Sequence, residues 1–317
     1  MCFHNFLPTT DIVQKATGEV QEIDIKDLTE KKLTKVCCFF DNIFLEDKAL
    51  FIPINRAFEY GDGFFETIIV QNNEVLYFSD HFLRIQAASK ALFLQLPADF
   101  SEDFVRKVIL KLIDNNSNDY SPTFRIKITF WRKNGGFYTP TFPQNECNTH
   151  ILIRVVPYET KNISGNILHQ NPLLKVSFSD KIKLSFSSFS SYKTLNSLPY
   201  VLAGIEKTER NLDDMVLLDT QNNISECSSA NIFWIKNDKI FTPNLQTGCV
   251  GGIMRKQVIQ TAHKLLIDLE EGFFPKTHLI EADCVFTTNV TGIRWIENIE
   301  NQQFSKHKML EVIAETI

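Results

Sequence analysis

Two charged side chains of this sequence lie in apolar surroundings where charge is costly, and both could take part in chemistry. The first is Lys193, in the stretch SSFSSYKTLNSLPY at residues 187–200, which contains no other charged residue. Loss of hydration favours the neutral amine, and a neutral amine is a nucleophile toward carbonyl compounds. The alternative is a lysine that lays its stem along an apolar surface and keeps its charge in water.

The second charged side chain is Glu226, in the strand-like run NISECSSANIFW. A buried carboxylate needs a partner. One suitable partner is the protonated ring nitrogen of pyridoxal 5′-phosphate, which must stay protonated for the ring to withdraw electrons. The alternative is a carboxylate hydrogen-bonded to the turn that follows Asn222 and Asn223.

A phosphate-binding segment is suggested by Gly251 and Gly252, which precede a predicted helix start at Ile253 and Met254. The first N–H groups of a helix are unpaired and carry a partial positive charge, so they bind anions well. The segment FTTNVTG adds hydroxyl groups at the end of a strand. Glycines also precede many helices that bind nothing, so both interpretations stay open.

A tight turn is predicted where Gly61 and Gly63 flank Asp62 in the segment NRAFEYGDGFFET. The aromatic side chains of Tyr60 and Phe65 would project near this turn. Such residues either line a binding pocket or belong to the hydrophobic core.

The composition is that of an ordinary globular protein, with 317 residues and a net charge of −5 from 33 basic and 38 acidic residues. This balance gives no strong field for nucleic acid or for an anionic membrane. The N-terminus has no secretory signal pattern, and no apolar run approaches the ~18 residues that indicate a membrane span. The seven cysteines fit neither a disulfide framework nor a zinc site. We therefore predict a cytoplasmic protein without a bound metal.

The pattern of apolar residues predicts an α+β protein with two domains. We expect an N-terminal extension over 1–33, a small α+β domain over 34–156, a linker over 157–164 and a larger domain over 165–317. Strands are predicted at 49–58, 64–78 (a hairpin turning at Asn72 and Asn73), 124–133, 149–158, 173–180, 215–219, 224–235, 239–243 and 282–290. Helices are predicted at 79–94 (capped by Ser79 or Asp80), 101–116 (capped by Ser101), 198–211, 251–268 and at the C-terminus.

Taken together, these segments resemble the class IV, fold-type IV enzymes that depend on pyridoxal 5′-phosphate, a family that includes branched-chain and D-amino-acid aminotransferases and aminodeoxychorismate lyase. The resemblance runs from about residue 38 to residue 300, in the order typical of the family. The segments that carry it are NRAFEYGDGFFET, HFLRIQAASKAL, YKTLNSLPYVLA, DDMVLLDTQNNISECSSANIFW, IFTPNLQTGCVGGIMRKQVI and VFTTNVTGI.

The resemblance implies a role for each candidate residue. Lys193 would bind the cofactor as an imine and transfer the proton at the substrate Cα, and Glu226 would pair with the ring nitrogen. The phosphate would be held by the Arg84 side chain, by the N–H groups of Ile253 and Met254, and by the Thr288 hydroxyl, with Thr287 or Asn289 as alternatives to Thr288. The fold implied is a small α+β domain followed by a larger domain with a β-barrel-like core, usually assembled as a homodimer.

The resemblance leaves two activities open. The segments around Lys193 and Glu226, together with GIMR, favour 4-amino-4-deoxychorismate lyase slightly, since Leu198 stands where branched-chain enzymes typically carry a tyrosine. The segment WRKNGGFYTP keeps Arg132, a candidate for binding a substrate carboxylate, but lacks the second arginine typical of the lyase. An amino-acid aminotransferase, branched-chain or D-specific, is therefore the alternative, and a non-catalytic binding protein on the same fold is a remote one.

Overall fold

The computed structural model divides by its internal contacts into two compact units, Met1–Glu159 and Thr160–Ile317. The predicted N-terminal extension and most of the predicted linker lie outside the residues that the structure describes. Those residues are 38–45, 55–116, 123–141, 146–158 and 172–317.

The strands described in the first unit form one antiparallel sheet in the order β2-β1-β6-β5-β3-β4. The predicted hairpin is confirmed, because Asn72 and Asn73 join β3 to β4 with φ values of 51° and 64°, as a tight type I′ turn requires. The strands are β1 (Cys38–Phe40), β2 (Ile43–Leu45), β3 (Gly63–Gln71), β4 (Glu74–Val75), β5 (Thr123–Arg132) and β6 (Thr149–Pro157).

The helices described in the first unit are α1 (Arg56–Tyr60), α2 (Phe78–Ala91) and α3 (Glu102–Asn116). The prediction of Ser101 as the cap of α3 is confirmed, since its hydroxyl accepts a hydrogen bond from the Phe104 N–H at 3.2 Å. The predicted caps of α2 were wrong. This helix starts at Phe78 after Tyr77, whose φ is 52°, and the Ser79 hydroxyl bonds Glu102 instead.

The predicted strand over 49–58 was wrong at its C-terminal end, where α1 forms, and its first residues lie outside the described part. Asn55 caps α1 by accepting a hydrogen bond from the Phe58 N–H at 2.9 Å. Gly61 ends the helix in the left-handed conformation, with φ of 63°, which glycine adopts without strain. These local signals outweigh the apolar pattern.

In the second unit the described strands form two further sheets, with orders β12-β11-β10-β13-β14 and β16-β15-β7-β8-β9. The predicted strand over 224–235 proved to be two strands separated by a turn. The strands are β7 (Val176–Leu184), β8 (Asp214–Asp219), β9 (Ile224–Cys227), β10 (Asn231–Lys236), β11 (Lys239–Pro243), β12 (Leu269–Gly272), β13 (Cys284–Asn289), β14 (Gly292–Ile296), β15 (Asn298–Ile299) and β16 (Gln302–Gln303). The α-helices described are α4 (Leu198–Glu209), α5 (Ile253–Lys264), α6 (Lys276–Ile280) and α7 (Lys308–Thr316).

Strand β10 is buried on both faces, which explains its continuous apolar sequence. Ile232 and Trp234 join one hydrophobic cluster, whereas Phe233 and Ile235 point the other way into a second cluster beneath α5 and α7. Among the described helices, none combines the length and the apolar character that crossing a membrane requires. The mixed α+β architecture agrees with the predicted fold class.

Candidate active site

The carboxylate of Glu226 is the best-defined feature of the site. It lies on β9 with only 3% of the residue exposed. Oε1 accepts a hydrogen bond from the Tyr200 hydroxyl at 2.6 Å, and Oε2 accepts one from Asn231 Nδ2 at 3.2 Å. The Val250 N–H lies 3.2 Å from both oxygens. The Val250 N–H has one hydrogen, which the two oxygens share, so the three donors supply three hydrogens. A carboxylate can accept about four, which leaves capacity for one more.

Burial raises the pKa of Glu226 to about 7, although the Tyr200 hydrogen bond, the positive charge of Lys193 and the Val250 N–H all act to lower it. The carboxylate therefore exchanges its proton near neutral pH. Lys193 and Glu226, which lie 33 residues apart in the sequence, are close enough for their charges to interact. The structure thus brings together the two residues that the sequence singled out first.

The loop that carries Lys193 runs from β7 to α4 and is joined to the segment before α5. The Gly251 N–H donates to the Ser191 carbonyl oxygen at 2.9 Å, two residues before Lys193. Lys193 itself is partly buried. The lysine loop, β9 and the start of α5 therefore form one connected cluster.

The start of α5 has the features of an anion-binding site. Helix α5 begins at Ile253, and its cap residue Gly252 has no side chain to occupy the first N–H groups. A Cβ atom at Gly252 would lie 2.1 Å from Asn231 Oδ1, so no larger residue fits there unless Asn231 moves. Asn231 in turn is paired across the sheet with Thr288.

Thr288 is 1% exposed, and its buried hydroxyl has no hydrogen-bond partner among the described residues. By contrast, the side chains of Thr287 and Asn289, the two alternatives to Thr288, both have partners. The Thr287 hydroxyl lies 3.4 Å from the Arg294 carbonyl oxygen, and the Asn289 side chain bonds Ser229 and Thr291. A buried polar atom normally has a partner, so the Thr288 hydroxyl is available for a hydrogen bond with a bound ligand.

These residues fit pyridoxal 5′-phosphate. The cofactor has an aldehyde that an amine such as Lys193 can bind, a ring nitrogen for which Glu226 has spare acceptor capacity, and a phosphate suited to the start of α5 and to Thr288. All of these residues belong to the second unit.

Arg84, the predicted phosphate ligand on α2, belongs to the first unit. Its Nε and Nη2 atoms each lie 2.7 Å from an oxygen of the buried Glu66, which His81 also contacts at 2.9 Å. Burial by itself raises the pKa of Glu66, but the Arg84 charge and the hydrogen bonds from His81 and Arg84 outweigh it and lower the pKa to about 2. Arg84 is thus held rigidly, and its phosphate-binding role stays a prediction.

Arg132, the predicted carboxylate ligand, is 7% exposed and already makes several bonds within the first unit. Its guanidinium group pairs with Asp62 at 2.9 Å and donates to the carbonyl oxygens of Leu92 and Phe93 at 2.7 and 2.8 Å. Through these contacts Arg132 holds neighbouring segments of the first unit together. Its role in substrate binding stays a prediction.

The two predicted aromatic residues of the substrate site also belong to the first unit. The Tyr60 ring lies 4.8 Å from the Arg56 guanidinium carbon and 5.5 Å from the Tyr138 ring. The Phe65 ring lies 4.7 Å from Lys127 Nζ. Both residues are partly buried, and their substrate contacts stay predictions.

Three residues that were not predicted from the sequence donate to Glu226, namely Tyr200, Asn231 and Val250. Tyr200 carried a signal, because it lies in the first turn of the helix that follows Lys193. Asn231 and Val250 carried none, because their contacts with Glu226 depend on how β10 and the segment before α5 pack.

The sequence matches the family described as amino-transferase class IV over residues 63–299. This match covers well over half of the chain. The chain therefore belongs to the class IV aminotransferases, a family of enzymes that depend on pyridoxal 5′-phosphate.

Similar proteins within this family have different activities. The chain is 27% identical to aminodeoxychorismate lyase of Vibrio harveyi, covering 78% of this chain and 89% of that protein. It is 24% identical to D-alanine aminotransferase of Listeria monocytogenes, covering 82% and 86%. Its fold resembles the crystal structure of a branched-chain aminotransferase from Thermoproteus uzoniensis, with a TM-score of 0.75, 21% identity and coverage of 89% and 93%.

Proposed function

We propose that this protein is a pyridoxal 5′-phosphate enzyme acting on the amino-bearing carbon of its substrate, and that its substrate is 4-amino-4-deoxychorismate. The single observation that supports the cofactor is the interaction of Lys193 with Glu226, a buried carboxylate with one acceptor position to spare. The lyase activity is supported by the similarity to the Vibrio harveyi enzyme, which extends over 89% of its length.

When bound, the cofactor withdraws electrons from the carbon that carries the substrate amino group, so that a proton can leave it. We assign this proton to Lys193 Nζ, which receives it as a free amine. Glu226 would keep the ring nitrogen protonated by accepting its hydrogen bond. The N–H groups of Ile253 and Met254 and the Thr288 hydroxyl would bind the phosphate.

The lyase reaction needs no second substrate. Loss of the proton from the amino-bearing carbon is followed by cleavage of the neighbouring ether C–O bond, and the ring becomes aromatic as 4-aminobenzoate. The leaving enolpyruvate takes up one proton and becomes pyruvate. Lys193 holds the first proton, and we assign to the same residue the transfer of this proton to the leaving enolpyruvate.

An amino-acid aminotransferase is the second candidate, and the similarity to D-alanine aminotransferase favours it. In this reaction Lys193 would take the proton from the substrate Cα, and a 2-oxo acid would be required as the amino acceptor. The two activities use the same Lys193 and Glu226. They differ in their requirement for an acceptor, which makes them separable by experiment.

The test is a product assay on purified protein loaded with the cofactor. The protein is first given 4-amino-4-deoxychorismate alone, and then L- and D-amino acids with 2-oxoglutarate or pyruvate. The lyase proposal predicts equal amounts of 4-aminobenzoate and pyruvate without any acceptor. Turnover only in the presence of a 2-oxo acid would contradict it and favour the aminotransferase.

We also propose that the protein is a homodimer, because α4 presents an apolar face to solvent. Leu198, Val201, Leu202 and Ile205 follow the spacing of one helical face and are between 43% and 65% exposed. Exposed apolar patches of this kind are typical of protein interfaces. In a twofold dimer the same helix of a second copy can cover this face, because identical apolar stripes complement each other.

A further inference from the structure

The position of Tyr200 against Glu226 has a consequence for the cofactor site. We infer that Tyr200 is a positioning residue, which acts through Glu226 and fixes the direction in which this carboxylate presents its remaining acceptor position to the cofactor ring nitrogen. The inference rests on the proposed dependence on pyridoxal 5′-phosphate.

The hydrogen bond from the Tyr200 hydroxyl to Oε1 measures 2.6 Å, whereas the contacts from Asn231 and Val250 measure 3.2 Å. The short bond indicates the strongest of the three, as expected for a hydroxyl that donates to an ionised carboxylate. Tyr200 lies in the first turn of α4, so the ring is anchored to a helix.

Tyr200 also influences the charge of the Glu226 carboxylate. Burial raises the pKa of Glu226, and the hydrogen bond from Tyr200 is the largest of the effects that oppose this rise. The Tyr200 hydroxyl stays protonated at neutral pH, because burial and the neighbouring Glu226 charge raise its own pKa. It therefore serves as a hydrogen-bond donor across the whole range in which Glu226 titrates.

The other ionisable groups around Glu226 cannot replace this hydroxyl. Lys193 and Arg255 act on Glu226 through their positive charges. Cys227 and Cys249 are buried thiols whose pKa values are raised, by burial first and then by nearby negative charge including that of Glu226. Without Tyr200, Glu226 would keep its proton to a higher pH, and below that pH fewer molecules would have an ionised carboxylate to accept a hydrogen bond from a protonated ring.

The test compares Tyr200→Phe with the unmodified chain by titrating the protein with pyridoxal 5′-phosphate at several pH values. The inference predicts a dissociation constant about fivefold higher for the variant at pH 7, since a rise of about one unit in the pKa of Glu226 lowers its ionised fraction at this pH from about one half to about one tenth. The ratio of the two dissociation constants should shrink as the pH approaches 9, where Glu226 ionises in both proteins. A ratio that is equal at every pH, or close to one throughout, would overturn the inference.

A second readout uses the protein without cofactor and does not depend on the proposed function. A group whose pKa is raised by folding favours the folded state below its unfolded pKa, and this contribution is lost as the pH rises through the folded pKa. Because Tyr200→Phe raises the folded pKa of Glu226 further, its melting temperature should fall below that of the unmodified chain by more at pH 9 than at pH 5. A difference in melting temperature that is the same at pH 5 and at pH 9 would overturn the role of Tyr200.

Two controls separate this role from a general loss of packing. In a Glu226→Gln background the Tyr200→Phe change should have no pH-dependent effect, because the titrating partner is gone. Tyr158→Phe removes the same hydroxyl from a partly buried tyrosine after β6 and should leave both readouts unchanged. Failure of the unmodified chain to bind pyridoxal 5′-phosphate would contradict the proposed function and the inference together, whereas normal binding with a pH-independent ratio would contradict only the inference.

Discussion

Arg84 and Glu66 are joined by two hydrogen bonds of 2.7 Å, one to each carboxylate oxygen, between α2 and β3 in the first unit. The carboxylate is almost completely buried, with 1% of its side-chain area exposed, and His81 contacts it from the same helix. This bidentate pair fixes the guanidinium group in one orientation. Arg84 can therefore serve as a preorganised cation.

Replacement of Glu66 by Gln should destabilise the protein by about 3–5 kcal/mol, because it leaves the Arg84 charge buried without its counterion. The free energy of unfolding can be measured by urea denaturation at pH 7. Asp103→Asn is the matched control, since this residue forms an exposed pair with Lys107 and should cost at most about 0.5 kcal/mol. Equal effects of the two changes would contradict the account.

The same carboxylate predicts how stability changes in acid. Folding lowers the pKa of Glu66 from 4.5 to about 2, so its contribution is present above pH 4.5 and is lost as the pH falls toward 2. This contribution amounts to about 3 kcal/mol. Glu66→Gln should therefore differ from the unmodified chain most at pH 7 and least near pH 2. A difference that does not shrink in acid would contradict the low pKa.

Removal of the Thr288 hydroxyl should weaken ligand binding without lowering the stability of the protein. Because this hydroxyl has no partner among the described residues, Thr288→Val should leave the melting temperature of the cofactor-free protein unchanged or raise it. The dissociation constant of pyridoxal 5′-phosphate should rise about tenfold, the value of one lost hydrogen bond to a charged group. Titration followed by absorbance measures this constant.

Thr287→Val is the matched control for this prediction. Thr287 is the neighbouring residue on β13, and its hydroxyl faces the Arg294 carbonyl oxygen at 3.4 Å. Its removal should leave cofactor binding unchanged. If Thr287→Val weakened binding and Thr288→Val did not, the phosphate would have to contact the other side of the strand.

The apolar face of α4 predicts a change of oligomeric state. Ile205→Glu places a charge within the proposed contact between two copies, where burial of an unpaired charge is unfavourable. Light scattering coupled to size-exclusion chromatography should report a dimer for the unmodified chain and a monomer for the variant. Leu266→Glu, at a residue 94% exposed outside this face, should stay dimeric. A monomeric unmodified chain would contradict the homodimer.

The sequence predicted those parts of the structure that depend on neighbouring residues. Ser101 caps α3, and Asn72 and Asn73 make the β3–β4 turn, because both signals act within four residues. The start of α2 was wrong because Ser79 bonds to Glu102, a contact that depends on how α2 and α3 pack. Contacts between distant residues carry no local pattern.

The candidate site shows the same difference between features set by neighbouring residues and contacts between distant residues. Lys193 and Glu226 were recognisable because a charge in an apolar segment is unusual in itself. The bond between Tyr200 and Glu226 joins residues 26 positions apart and arises only when α4 packs against β7 and β8. Likewise, the sequence could not choose among Thr287, Thr288 and Asn289, because the choice depends on which side chain lacks an internal partner.

The most direct test of the account is to identify the residue that binds the cofactor. The protein is incubated with pyridoxal 5′-phosphate, reduced with borohydride and digested, and the modified peptide is sequenced by mass spectrometry. The account predicts a pyridoxyl-phosphate adduct on Lys193, and none at this position in Lys193→Ala, which should also lose the yellow colour after dialysis. An adduct on another lysine, or an equal yield of adduct in the variant, would contradict it.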